Sequence, residues 1–143
     1  MAQKFLTSEQ EKVIVAAIAR AEEGNRGEVR VHIEKKCKGD ALARAAGVFA
    51  ALGMAETAAD TGLLLYIARA SRKVAIFAGK GIHEAVEGDT WQELVDRVAR
   101  SCGQGQQVDG ICQAIDTIGE LLRQHLPGED TAGDELPNQV TTA

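Results

Sequence analysis

Aromatic side chains are scarce: Phe5, Phe49, Tyr66, Phe77 and Trp91 are the five in 143 residues, against 23 Ala. So few rings exclude a base-stacking surface for nucleic acid, and they require an aliphatic core. Basic residues are not in excess either. The 16 Lys and Arg are outnumbered by 21 Asp and Glu, giving a net charge of -5, whereas phosphate neutralisation needs clustered cations. The three cysteines, Cys37, Cys102 and Cys112, form no C-x-x-C pair, so neither a disulfide framework nor a zinc knuckle is indicated. No run approaches the ~18 consecutive apolar residues of a membrane span. The first residues lack the apolar stretch of a secretory signal, so a cytoplasmic location is expected.

What is present has the balance of an ordinary globule, with 45% hydrophobic and 26% charged residues. Thr7 with Gln10, or Ser8 with Glu11, can form a capping box. Val13, Ile14, Ala17, Ile18 and Ala21 then recur at helical spacing up to Gly24-Asn25. Glu28 to Lys35 alternates, with Val29, Val31 and Ile33 against Glu28, Arg30, His32 and Glu34, which predicts a strand with one exposed or lightly covered face. Asp40 caps a second helix that carries Leu42, Ala45, Val48, Phe49 and Leu52. Gly62 to Ala68 is continuously apolar, as in a strand buried on both faces, and Lys73 to Ala78 follows as its hairpin partner. Two amphipathic helices come next, one from about Asp89 and one from about Val108 to Leu126.

The expected order is α-β-α-β-β-α-α, a three-layer α/β/α sandwich around a small mixed sheet, because a helical crossover joins parallel strands. Residues 1–127 form the domain, and 128–143 are expected to be an acidic disordered tail. Glu129, Asp130, Asp134 and Glu135 carry most of the net charge, leaving 16 basic and 17 acidic residues for the fold.

If the first two strands are parallel and the third is antiparallel, one sheet end gathers Arg26 to Glu28, Asp60 to Gly62 and Gly79 to His83. Asp60, Glu84 and Asp89 could then supply carboxylate oxygens to calcium or magnesium, with Glu28, Gly79, Lys80, Gly81 and His83 lining the site. The competing reading is structural. Asp60 turns the chain, the glycines allow positive φ, and His83 with its acidic neighbours forms a solvated turn. Gly79-Lys80-Gly81 completes neither a dinucleotide fingerprint nor a Walker loop. Lys35, Lys36 and Lys38 favour a Cys37 thiolate electrostatically, but no catalytic partner follows, and an exposed incidental cysteine is the plainer expectation.

Asp60-Thr61-Gly62-Leu63-Leu64-Leu65-Tyr66-Ile67-Ala68, then Arg72-Lys73-Val74-Ala75-Ile76 and Gly79-Lys80-Gly81-Ile82, resemble the TPM domain family. Gly27 to Val31, Trp91 to Leu94 and Asp109 to Ile111 extend the resemblance over about residues 7–127. The family includes a plant thylakoid-lumen protein linked to photosystem II repair and short soluble bacterial members. The resemblance implies an α/β/α sandwich, divalent-cation binding in acidic loops at one sheet end, and a weak acid phosphatase activity. It places Asp60 at the family's acidic position before the apolar strand, and Gly79, Gly81 and Ile82 in its glycine turn. Lys80 departs from it by putting an ammonium where soluble relatives often carry a carboxylate. Two functions follow as expectations. One is a non-catalytic or weakly catalytic module that binds a cation and assists an unknown protein partner. The other is a metal-assisted acid phosphatase-like hydrolase with His83 as general acid.

Overall fold

Thr7 opens the first helix, α1 (Ser8–Ala21), through a capping box: its hydroxyl accepts the Gln10 N–H at 3.1 Å, and the Gln10 side chain accepts the Thr7 N–H at 2.9 Å. The structure, a computed structural model, describes residues 5–54, 60–128 and 140–142. After α1 come β1 (Glu28–Glu34), α2 (Ala41–Ala51), β2 (Gly62–Ala68), β3 (Lys73–Ala78), the single-turn α3 (Lys80–His83), α4 (Gly88–Gly103), α5 (Gln107–His125) and β4 (Val140–Thr142). Asp40 caps α2 by accepting the Ala43 N–H at 3.1 Å.

The strands form one mixed sheet in the order β3-β2-β1-β4. β1 and β2 run parallel with Glu28 opposite Gly62, and β3 returns antiparallel to β2 with Ala78 opposite Leu63. The α/β sandwich expected from the sequence is thus present, with two additions, α3 and β4. β4 pairs in parallel with β1, Val31 opposite Val140. Most of the expected tail, residues 129–139, lies outside the described residues, but Val140–Thr142 form a strand where no structure was expected. Three residues carry too little hydrophobic pattern to announce a strand, and this one exists because β1 offers an edge to pair with.

β2 is buried on both faces, as its continuous apolar run predicts. Leu63, Leu65 and Ile67 join Val29, Val31 and Ile33 in a core with α1, α4 and α5. Leu64, Tyr66 and Ala68 face the other way, into a smaller core with Ala45, Val48 and Phe49 of α2. The layers approach closely at Gly119, where a Cβ would sit 2.8 Å from the Ala21 Cα, so glycine there lets α5 lie against α1.

β1 departs from the pattern expected of it. Its polar side was expected to be exposed or lightly covered, yet all seven residues are buried. Glu28, Arg30, His32 and Glu34 are each no more than 7% exposed. Alternation reports which residues share a face and leaves open whether that face meets solvent.

Candidate functional site

The three segments expected at one end of the sheet do meet. The Glu28 N–H donates to the Thr61 carbonyl at 3.0 Å, the Thr61 hydroxyl donates to the Arg26 carbonyl at 2.8 Å, and the Gly79 N–H donates to the Gly62 carbonyl at 2.7 Å. Asp60 stands at the centre. Its carboxylate accepts the Lys80 N–H at 3.1 Å, and its backbone carbonyl accepts the Gly81 N–H at 3.1 Å. Asp60 itself takes the left-handed conformation, φ 51°, which a short polar side chain tolerates better than most. Gly79 has an ordinary φ of -62°. Its lack of a side chain matters for another reason, since a Cβ there would overlap both the backbone oxygen and the carboxylate of Asp60. The sequence pointed to positive φ at the glycines, whereas the left-handed residue is the aspartate and Gly79 supplies close approach.

Of the other expected residues, Glu28 lies within 3.9 Å of the buried Arg30 guanidinium. Lys80, His83, Glu84 and Asp89 are exposed, and Gly81 is half-buried. Among the described residues, no three His, Cys, Asp or Glu side chains gather closely enough to hold a metal ion. Asp60 is the expected ligand that the fold brings into the glycine turn, where one carboxylate oxygen already takes a backbone N–H. On their own, these described side chains do not make up a cation cage.

A second constellation lies on the α2 face of the sheet, announced in the sequence only by the alternation of β1. Glu34 accepts two hydrogen bonds from the Arg44 guanidinium, from Nε and Nη2, each at 2.9 Å. The buried Tyr66 hydroxyl also donates to it. His32 spans the network, with Nε2 at 3.4 Å from Glu34 and Nδ1 at 2.7 Å from the Thr141 hydroxyl of β4, and its ring stacks on that of Tyr66. The Arg44 hydrogen bonds are the main reason the Glu34 carboxyl is held down at about 2, and those from Tyr66 and His32 add to the effect while burial opposes it. Burial and then Glu34 push the Tyr66 phenol up. Farther along the stripe, Arg30 is 2% exposed; its Nη1 lies 3.2 Å from Glu22 Oε2, which also accepts the Val29 N–H at 2.8 Å. A ligand does not need to be invoked for these groups, because each carboxylate lies within 3.9 Å of a guanidinium of the fold.

Cys37, expected at the surface, is 7% exposed. Its Sγ lies 3.5 Å from the Gly39 carbonyl, and Lys73 donates to the carbonyls of Cys37 and Gly39 at 3.0 and 2.7 Å. Lys73 therefore ties the segment before α2 to the start of β3. Lys35, Lys36 and Lys38 stay in solvent. Burial pushes the half-buried Cys102 and Cys112 thiols up, away from reactive thiolate.

Beside β3 runs a groove of about 820 Å³. β3 lines it from Val74 to Ala78, α2 walls one side with Leu42, Ala46 and Phe49, and α4 walls the other with Trp91 and Val95. Asp60, Gly79, Lys80 and His83 border one end and Asp40 belongs to the lining contributed by the start of α2. Four of the expected site residues thus frame a mainly apolar channel, which the sequence did not reveal because its walls come from distant segments.

Comparison with known proteins gives a consistent answer. The TPM domain profile matches residues 2–121. The BA42 protein of the psychrophilic bacterium Bizionia argentinensis, solved by NMR, is similar at 35% identity with a TM-score of 0.89, the match covering 100% of this chain and 99% of that one. The N-terminal domain of a protein from P. gingivalis shares the fold at 17% identity and a TM-score of 0.69, covering 85% of this chain and 79% of its own. The N-terminal domain of the cg2496 protein from Corynebacterium glutamicum does so at 14% identity and a TM-score of 0.64, covering 92% and 79%. A comparison with curated proteins gives no match. Among the described residues no helix is long and apolar enough to cross a membrane. With the profile spanning most of the chain and a relative of 35% identity aligned along its whole length, this chain belongs to the TPM domain family.

Proposed function

We propose that the chain is a non-catalytic or weakly catalytic binding module that assists a partner protein. The observation that carries this reading is the state of Asp60: the carboxylate expected to hold a catalytic cation accepts the Lys80 N–H and closes the turn against Gly79. A hydrolase working through a bound cation needs several ligands and an activated water, and an ammonium beside the turn disfavours a second positive charge. A binding module tolerates both features. The cation is retained as a weak accessory ligand at this turn, with Asp60 as its anchor. Glu84 and Asp89 are exposed and free to turn toward solvent cations without forming a cage.

Titration with calcium and with magnesium, followed by backbone amide NMR, tests the accessory site. Saturable shifts confined to Asp60–Gly62 and Gly79–Asp89 are expected at millimolar metal and should vanish in Asp60→Asn. Release of phosphate from a synthetic monoester tests the module reading itself. Metal-dependent turnover that disappears in Asp60→Asn would replace that reading with the hydrolase.

A further inference from the structure

We propose that the open edge of β3 is a docking site for an extended peptide segment of a partner protein, added to the sheet as a fifth strand. The inference rests on the binding-module reading and specifies how that module takes hold of its partner.

The backbone supplies the first argument. In an antiparallel pair, residues alternate between those that bond across the ladder and those whose N–H and C=O point away. Gly79 bonds to Gly62 at 2.7 Å, and the register pairs Phe77 with Leu64 and Ala75 with Tyr66. Phe77, Ala75 and Lys73 therefore face β2, while Val74, Ile76 and Ala78 direct their N–H and C=O to the outer edge. Among the described residues no strand pairs with that edge, since β3 is terminal in the order β3-β2-β1-β4. The other edge is treated differently: β4 pairs with Val31 to Ile33, and Glu22 takes the Val29 N–H. Proteins usually protect an open edge with a central charge, a proline or a bulge. Val74-Ala75-Ile76-Phe77-Ala78 contains no charged residue and no proline, and it pairs with β2 in unbroken register.

The walls identify the occupant. Both α2 and α4 pack over β3 itself, leaving a channel of about 820 Å³ between them. A second copy of this chain would bring its own two helices. Paired strands lie about 4.8 Å apart, whereas packed helices need about 8–10 Å, so helices seated over two abutting edge strands would collide before the ladder formed. A bare strand carries no such helices and fits. Its side chains would alternate between the α2 wall, where Leu42 is 50% exposed, and the α4 wall of Trp91 and Val95. The groove therefore favours apolar or β-branched residues on both faces of the peptide. Charged residues border both ends: at one stands Asp40, near Lys73, whose ammonium is engaged by the Cys37 and Gly39 carbonyls, and at the other stands Lys80, where the Asp60 carboxylate is turned onto the Lys80 N–H. Antiparallel addition, the stronger pairing, sets the N-terminus of the peptide near Lys80 and its C-terminus near Asp40. The matching segment has an acidic residue first, alternating Val and Thr in the middle, and a basic residue last.

The test uses the full chain and the blocked peptide acetyl-Glu-Val-Thr-Val-Thr-Val-Lys-amide. Amide NMR should show saturable shifts along β3 and at Leu42, Ala46 and Val95, with slowed hydrogen exchange at the Val74, Ile76 and Ala78 N–H groups. N-methylation of alternate peptide amides, which removes ladder donors and leaves the side chains, should weaken binding about tenfold in the register that pairs with β3. Reversing the Glu and Lys positions should weaken it a few-fold. Leu42→Glu, at an exposed position, should weaken binding while the chain keeps its unfolding midpoint. Three results overturn the proposal: no change at β3 with millimolar peptide, binding insensitive to N-methylation in both registers, or β3 amides already protected in a concentration-dependent dimer. The last would make a second copy the occupant. Failure here leaves the phosphate-release assay untouched, and turnover in that assay overturns the module reading without touching the peptide result, so the two fail separately.

Discussion

On one face of the sheet Val29, Val31, Ile33, Leu63, Leu65 and Ile67 meet the aliphatic faces of α1, α4 and α5; on the other, Glu28, Arg30, His32, Glu34 and Tyr66 are buried almost as completely. β1 and β2 each supply both rows, one residue apart. The aliphatic face is held by removal of apolar area from water and tolerates volume-conserving exchange. The polar face depends on each charge keeping its partner, so it specifies an arrangement more sharply than it stabilises one. A nearly all-aliphatic core with few aromatics is well served by such a row, because it fixes the register of β1 against α2 and β4 through Arg44 and Thr141.

Breaking the polar face should cost most. Arg30→Ala, which removes the guanidinium beside Glu22 and Glu28, is expected to destabilise by about 3–5 kcal/mol in urea unfolding, and Arg30→Met, which restores volume and not charge, should cost nearly as much. Ile115→Ala on the opposite face should cost about 2–5 kcal/mol through lost burial and a residual cavity, and Ile115→Leu under about 1.5 kcal/mol. Tyr66→Phe removes one hydrogen bond to an ionised carboxylate and should cost about 1.5–3 kcal/mol.

Acid separates the faces without mutation. The Glu34 carboxyl, ordinarily near 4.5, is held at about 2 in the fold, chiefly by Arg44. The unfolded chain binds this proton first as pH falls, so the contribution of ionised Glu34 is complete above about 4.5 and is lost progressively toward 2. Urea midpoints measured from pH 6 to pH 2 should fall more steeply in the wild type than in Glu34→Gln, with Ile115→Leu following the wild type. The smallest effect is expected at the groove: Leu42→Ser should change stability within about 0.5 kcal/mol, because half of that side chain is already in water.

The elements themselves were legible. The Thr7 and Asp40 caps, the doubly buried β2 and the helical stripes of α4 and α5 all follow from local pattern, and the crossover argument put β1 parallel to β2. The meeting of Asp60 with Gly79 and Lys80 followed from that topology. The role of Glu34 did not, since Arg44, Tyr66 and His32 are neighbours only after α2 has packed, and a polar residue in an alternating strand reads the same whether buried or solvated. Cys37 was misplaced for a related reason: its lysine neighbours are exposed while the thiol turns inward toward Gly39. The strand β4 is too short to show a period.

By itself the sequence determined the four longer helices, the two central strands, their order and the family, because periodicity, caps and the Asp60 to Ile82 motifs are local properties of the chain. Tertiary structure alone decided which polar groups are buried together, and that α2 and α4 flank an edge of β3 on which no strand pairs among the described residues. Those outcomes depend on the distances between segments far apart in the chain, and one-dimensional spacing does not encode which side of a strand receives a cover.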